Sequence, residues 1–286
     1  MKRIFTLLIA ILAAVAANAD SVVTTPAKSS PESITVAPDG SLILSSASTP
    51  FIHRARPGAS VAEPFIDTAA DGNTGFLGVL ADAASNTLWA CQFVRPSGSK
   101  NRQSTLRGFD LASGAAKFRW ALPGDNNLCN DFSVGPDGAL YVTDTNGGRI
   151  FRVKAGAAAG ELLLEDHLLE GVDGIAFLDG LLYVNNVATN ALYRIPLDKD
   201  GKAGTPQPIA LDLQIDGPDG MRAANGKLFL GENRGGKADM IAISGDQGHV
   251  TVLLEGLGAA TAIQPAGKIL WVGDRANDKA VAIPLP

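Results

Sequence analysis

Four oxygen-bearing side chains recur at one phase of this sequence. Glu32, Asn130, Asp173 and Asp219 each stand two residues before the first apolar residue of a short alternating segment, at Ile34, Phe132, Ile175 and Met221. Three are carboxylates and one is an amide. Three like charges held within a few ångströms repel strongly unless a cation lies among them. Hard oxygen donors suit Ca²⁺ best, then Mg²⁺ or Mn²⁺, with Zn²⁺ a poorer match because it usually takes His or Cys. For any one residue alone, a turn cap is the simpler explanation, since Asp and Asn before a strand often bond to nearby backbone. Recurrence in four segments shifts the balance toward a metal site. The outermost pair, Glu32 and Asp219, is 187 residues apart in sequence. Only a repeating fold can bring such residues together.

The repeat is visible. "ESITVAPDGSLILSS" from Glu32, "NDFSVGPDGALYVTD" from Asn130, "DGIAFLDGLLYVNN" from Asp173 and "DGMRAANGKLFLGEN" from Asp219 share a polar start, a strand, a tight turn and a second strand. Weaker copies begin at Leu77 and Thr261. The turns fall at Gly40, Asn86, Gly138, Gly180, Gly226 and Gly267, spaced by 46, 52, 42, 46 and 41 residues. A period of 40 to 50 residues holding several short strands is that of a β-propeller blade. Pro-Asp-Gly and Asn-Gly supply the backbone angles of tight hairpins. Third strands ("GRIFRVKA", "NALYRIPLD", "ADMIAISGD") and fourth strands ("GELLLED", "QPIALDL", "HVTVLLEG") follow. The chain is therefore expected to be all-β, a single six-bladed propeller over residues 20–286 with four strands per blade. The last unit holds only three strands, so "SVVTTPA" from Ser21 is expected to complete blade six. Stepping back by the same rule puts Gly78 of blade two and Ala260 of blade six at the ring.

Residues 1–19 stand apart. Lys2 and Arg3 precede an apolar run that ends in Ala17-Asn18-Ala19, the pattern of a cleaved signal peptide. A periplasmic or secreted protein is expected. Cleavage takes the net charge from −5 to −7, because two bases leave and no acid does. An acidic chain without a basic run argues against nucleic acid as a partner, and no later stretch is apolar enough to span a bilayer. Cys91 and Cys129 either pair in an oxidising compartment or remain two buried thiols.

Other catalytic patterns are missing, with no G-x-S-x-G elbow and no H-E-x-x-H helix. "LDKDGKAG" from Leu197 lacks the acids of a calcium loop and reads as a turn. Asp131 is expected to brace the metal's surroundings, Asn185 and Glu232 to rim a pocket, and His53 to stand nearby, each on weaker grounds.

"NDFSVGPDGALYV", "GVDGIAF" and "GPDGMRAANGKLFLGEN" carry a resemblance to the SMP-30/gluconolactonase/regucalcin family of six-bladed propellers and, more distantly, to paraoxonases and strictosidine synthases. The resemblance spans Glu32 to the C-terminus. It implies one catalytic divalent cation, usually calcium, held by a Glu, two Asn and an Asp. Glu32, Asn130 and Asp219 match by type, whereas Asp173 stands where the family usually has Asn. It also implies lactone hydrolysis on a small-molecule substrate, with Asp219 as general base. The family's sugar lactonases carry an Arg two residues before the metal Asn, and that position here is Leu128. A propeller that binds a ligand or partner protein, its metal structural, is the alternative.

Overall fold

A computed structural model describes residues 21–95 and 101–286. The expected signal peptide lies outside the described residues. The strands form six sheets, all antiparallel apart from one edge strand. From the inside outward, blade one comprises Ile34–Val36, Leu42–Leu44, Phe51–Ala55 and Glu63–Asp67. Blade two comprises Gly75–Asp82, Thr87–Val94, Gln103–Asp110 and Ala116–Ala121. Cys129–Val134, Leu140–Asp144, Arg149–Val153 and Glu161–Glu165 make blade three. Blade four begins with Val172–Leu178, Leu181–Asn186 and Ala191–Ile195, and blade five with Pro218–Ala224, Lys227–Glu232, Lys237–Ser244 and Gln247–Leu254. Ala260–Ala266, Ile269–Asp274 and Lys279–Pro284 form blade six, whose outer strand is Ser21–Thr24, paired antiparallel to Lys279–Ala282. The inner strands touch in order around the ring, and the sixth returns to the first.

Every anticipated hairpin turn carries positive φ, from Asn86 at 50° to Gly40 at 81°. At Asn225 and Gly226 both central residues do so, as the tight I′ turn requires. One expected strand divides. "QPIALDL" pairs with blade four at Gln207–Pro208, and Ala210–Leu211 then joins blade five parallel to Gln247–Gly248. Ile209 N still donates to the Leu192 carbonyl of blade four at 2.8 Å, and Ala210 N then donates to the Asp246 carbonyl of blade five at 2.9 Å, so the crossover falls between these two residues. Blade five consequently has five strands.

The core consists of six apolar clusters, one between each pair of neighbouring blades. Phe76 and Leu88 of blade two pack on Ile43 and Ile52 of blade one, and Val23 of the N-terminal strand packs on Ile34 and Leu44. Between blades two and three the packing is covalently reinforced. Cys91 and Cys129 form a disulfide with Cα atoms 5.3 Å apart, which settles the alternative left open by the sequence.

Candidate functional site

In blades two to six the inner strand is bulged at its start. Pairing skips from Cys129 to Phe132, from Val172 to Ile175 and from Pro218 to Met221. The extra residues are Asn130–Asp131, Asp173–Gly174 and Asp219–Gly220. A bulge inserts an unpaired residue and re-aims its side chain. Here it does so for three of the four proposed donors, at the end of the channel where the inner strands begin. The same register corrects two assignments. The counterpart of Asn130 in blade two is Leu77, not Gly78, and in blade six it is Thr261, not Ala260. Strict alternation fails there because each bulge adds one residue. Gly78, Gly174 and Gly220 are tied to their places, since a Cβ on any of them would lie 2.1–2.7 Å from a carbonyl of the next blade, those of Asn130, Asp219 and Thr261.

Around these donors runs a second repeated position, the residue just past the second strand of a blade: Thr145, Val187, Asn233 and Arg275. Asn130 donates from Nδ2 to Thr145 Oγ1 (2.9 Å) and to Asp173 Oδ2 (2.8 Å). Asn233 donates from Nδ2 to Asp219 Oδ2 at 2.9 Å, and Gly220 N donates to Asp219 Oδ1 at 2.9 Å. Arg275 reaches from blade six to Glu32 of blade one, Nη1 to Oε2 at 2.5 Å. Asp278, three residues on, accepts from the backbone of Lys28 and Ser30 and so holds the segment leading into Glu32. Thr261 adds a further tie by donating to the Pro31 carbonyl.

The mouth is thus a ring of buried acids with few counter-charges. Asp173 is raised well above the ordinary carboxylate range by burial, then by the charges of Glu32 and Asp131. Asp219 is raised in the same way by burial, then by Asp173 and Glu32. Arg275 opposes both shifts. Further along the channel, Asp131 accepts from Arg222 Nη1 through both oxygens, at 2.9 and 2.7 Å, joining blade three to blade five. Asp131 therefore spans the channel on an arginine.

The other sequence assignments separate. Asn185 is fully buried, accepts from Gly174 N and donates to the Asp219 carbonyl, so it supports the backbone of a donor rather than rimming a pocket. Glu232 also lies inside, facing Asp239 within blade five, with its Oε2 unpartnered. His53 is in the third strand of blade one, outside the two strands that shape the mouth; burial lowers its pKa and favours the neutral ring. Arg222 and Arg275 escaped the sequence reading. Arg275 has a signal there, because "TDTN", "NNVA", "GENR" and "GDRA" align its position with Thr145, Val187 and Asn233.

The donor chemistry fits a hard divalent cation. Asp173 Oδ1 is buried without a partner, and Asn130 keeps Oδ1 after its amide protons are used. Glu32 departs from that fit, being held by Arg275. Among the described residues no three of His, Cys, Asp and Glu are gathered as a metal-binding group, and no helix is long and apolar enough to cross a membrane.

No known protein family and no curated protein matches the sequence. Solved structures do share its architecture. The PQQ-bound aldose sugar dehydrogenase of Streptomyces coelicolor is 18% identical with a TM-score of 0.70, over 94% of this chain and 98% of that one. A candidate gluconolactonase is 17% identical with a TM-score of 0.65, over 93% and 90%. Virginiamycin B lyase of Staphylococcus aureus is 14% identical with a TM-score of 0.62, over 93% and 99%. At such identities the likeness is one of fold, and the chain is a six-bladed β-propeller.

Proposed function

We propose that this chain is an exported hydrolase of lactones or related esters, assisted by a divalent cation, Ca²⁺ first, at the channel mouth. The observation that carries this reading is the pair Asp173 and Asp219, two buried carboxyl groups at the mouth, each raised well above its ordinary pKa. Strongly shifted acids gathered at one site mark it as a candidate functional site.

Hydrolysis adds one water across the ring ester. The water oxygen bonds to the carbonyl carbon as a base takes one of its protons. The ring C–O bond then breaks, the leaving oxygen regains a proton, and an open hydroxy acid departs. In this reading Asp219 takes the proton and returns it to the leaving oxygen. Asn233, Gly220 and Asn185 fix the orientation of Asp219. Asn130, Asp173, Asp219 and Glu32 would hold the cation, which when bound supplies Lewis-acid polarisation of the carbonyl.

A second reading is a propeller that binds a small ligand or partner protein, its cation structural. Leu128 favours it, since this side chain is buried where a sugar lactonase would present Arg. The two separate in one experiment. The purified chain is stripped with chelator and assayed on a lactone panel with and without Ca²⁺, Mg²⁺, Mn²⁺ and Zn²⁺. Metal-restored turnover that is lost in Asp219→Ala supports the hydrolase. A metal-raised melting temperature with no turnover on any lactone leaves the binding reading.

A further inference from the structure

We infer that Arg275 is a resident counter-ion that competes with a divalent cation for Glu32, so that the cation affinity of the channel mouth is set by an arginine of blade six. The inference rests on the metal reading above and adds a residue to it that acts against the cation.

The geometry is specific to one blade. At the position after the second strand, blades three, four and five place Thr145, Val187 and Asn233, all neutral. Of these four blades, blade six places a charge, and that charge lies 2.5 Å from Glu32. The contact is built from both sides. Arg275 N donates to the Ala259 carbonyl, and Asn277 pins the turn to Asp274. On the other side Asp278 and Thr261 fix the segment carrying Glu32. A guanidinium cannot release its proton near neutral pH, so it remains a full charge in the site. A divalent cation drawn to Glu32, Asp173 and Asp219 meets that charge directly, and the two repel in a poorly solvated space. The exchange has a route, because the Arg275 side chain is 33% exposed while that of Glu32 is 8% exposed. Arg102 interacts with both Glu32 and Arg275, and this further positive charge weakens the hold of the mouth on a cation. Asp173 Oδ1, buried and unpartnered, stays available to the incoming ion. Because coupling between two ligands of one site is reciprocal, the arginine weakens the cation as much as the cation displaces the arginine.

The test is Ca²⁺ titration by calorimetry on the chelator-treated wild type, Arg275→Gln, Arg275→Lys and Glu32→Gln, with melting temperatures read in parallel. Arg275→Gln is expected to bind Ca²⁺ about tenfold tighter than wild type. Its melting temperature in chelator should fall, because Glu32 is left buried and unpaired, and Ca²⁺ should raise it by more than it raises wild type. Arg275→Lys, which keeps the charge, should stay near wild type. In the wild-type chain the side-chain Nε–H resonance of Arg275 should move on Ca²⁺ saturation, a readout that needs no variant to fold. A merely structural arginine predicts the reverse, with weaker or unchanged Ca²⁺ binding in Arg275→Gln and a stationary resonance. That result, with Glu32→Gln still weakening Ca²⁺, overturns the role of Arg275 and leaves the metal reading standing. No Ca²⁺ binding by any of the four proteins overturns both.

Discussion

Two buried acids make separate predictions at the scale of single residues. Asp219 is the proposed base, so Asp219→Asn should lower kcat on a responsive lactone by about 10²–10⁴-fold. The single amide oxygen can still accept from Gly220 N, though the bond from Asn233 is lost, and circular dichroism should remain that of the wild type. Asp239 lies outside the mouth, fully buried, with both carboxylate oxygens unpartnered. Burial, then its contact with Glu232, pushes it up to about 8, while Lys237 opposes the shift. The sign follows from linkage. Between the unfolded value near 4 and the folded value near 8 the native state holds the extra proton, so stability falls as pH rises through that window and levels off above it. The slope is at most about 1.4 kcal/mol per pH unit. Asp239→Asn should flatten it, as read by urea unfolding from pH 5 to 9. A profile as steep as that of wild type would show that other groups carry the dependence.

Each blade interface, at the scale of elements, is an apolar cluster, and one carries a covalent tie. The Cys91–Cys129 disulfide closes a separation of 38 residues. On the chain-entropy account its removal in Cys91→Ser/Cys129→Ser should cost about 4 kcal/mol, measured by denaturant unfolding under oxidising conditions. The effect should extend to the mouth, because Cys129 directly precedes Asn130 and anchors the bulge that aims it. The bulges themselves are the elements that turn a repeat into a site. Without the extra residue, the side chains of Asn130, Asp173 and Asp219 would follow ordinary strand alternation.

Closure governs the molecule as a whole. Ser21–Thr24 covers the edge strand Lys279–Pro284, and Thr25, Lys28, Ser29 and Ser30 all bond to Asp278. The same junction sets Glu32 beside Arg275, so ring closure and the mouth share one set of contacts. Deleting residues 21–27 should uncover the last blade's edge and remove Val23 from the cluster between blades six and one. Lower melting temperature and concentration-dependent association by size-exclusion chromatography are expected. A deletion variant as stable and monomeric as the full chain would show that closure does not depend on this strand.

The sequence by itself determined the blade count, the hairpin turns and the strand that completes blade six, because all three rest on local signals: a period, Gly and Asn at positive φ, and a unit one strand short. It also determined that Glu32, Asn130, Asp173 and Asp219 share a phase. The tertiary structure decided what that phase means. Bulges displaced the register at Leu77 and Thr261, where counting by alternation pointed to Gly78 and Ala260. Backbone bonds from Ile209 to Leu192 and from Ala210 to Asp246 mark the point where blade four hands its outer strand to blade five. Above all, the counter-charges come from far away in sequence: Arg275 meets Glu32 across 243 residues and Arg222 meets Asp131 across 91. Such pairings depend on how the ring closes in space, and no local pattern of residues encodes a distance across a channel.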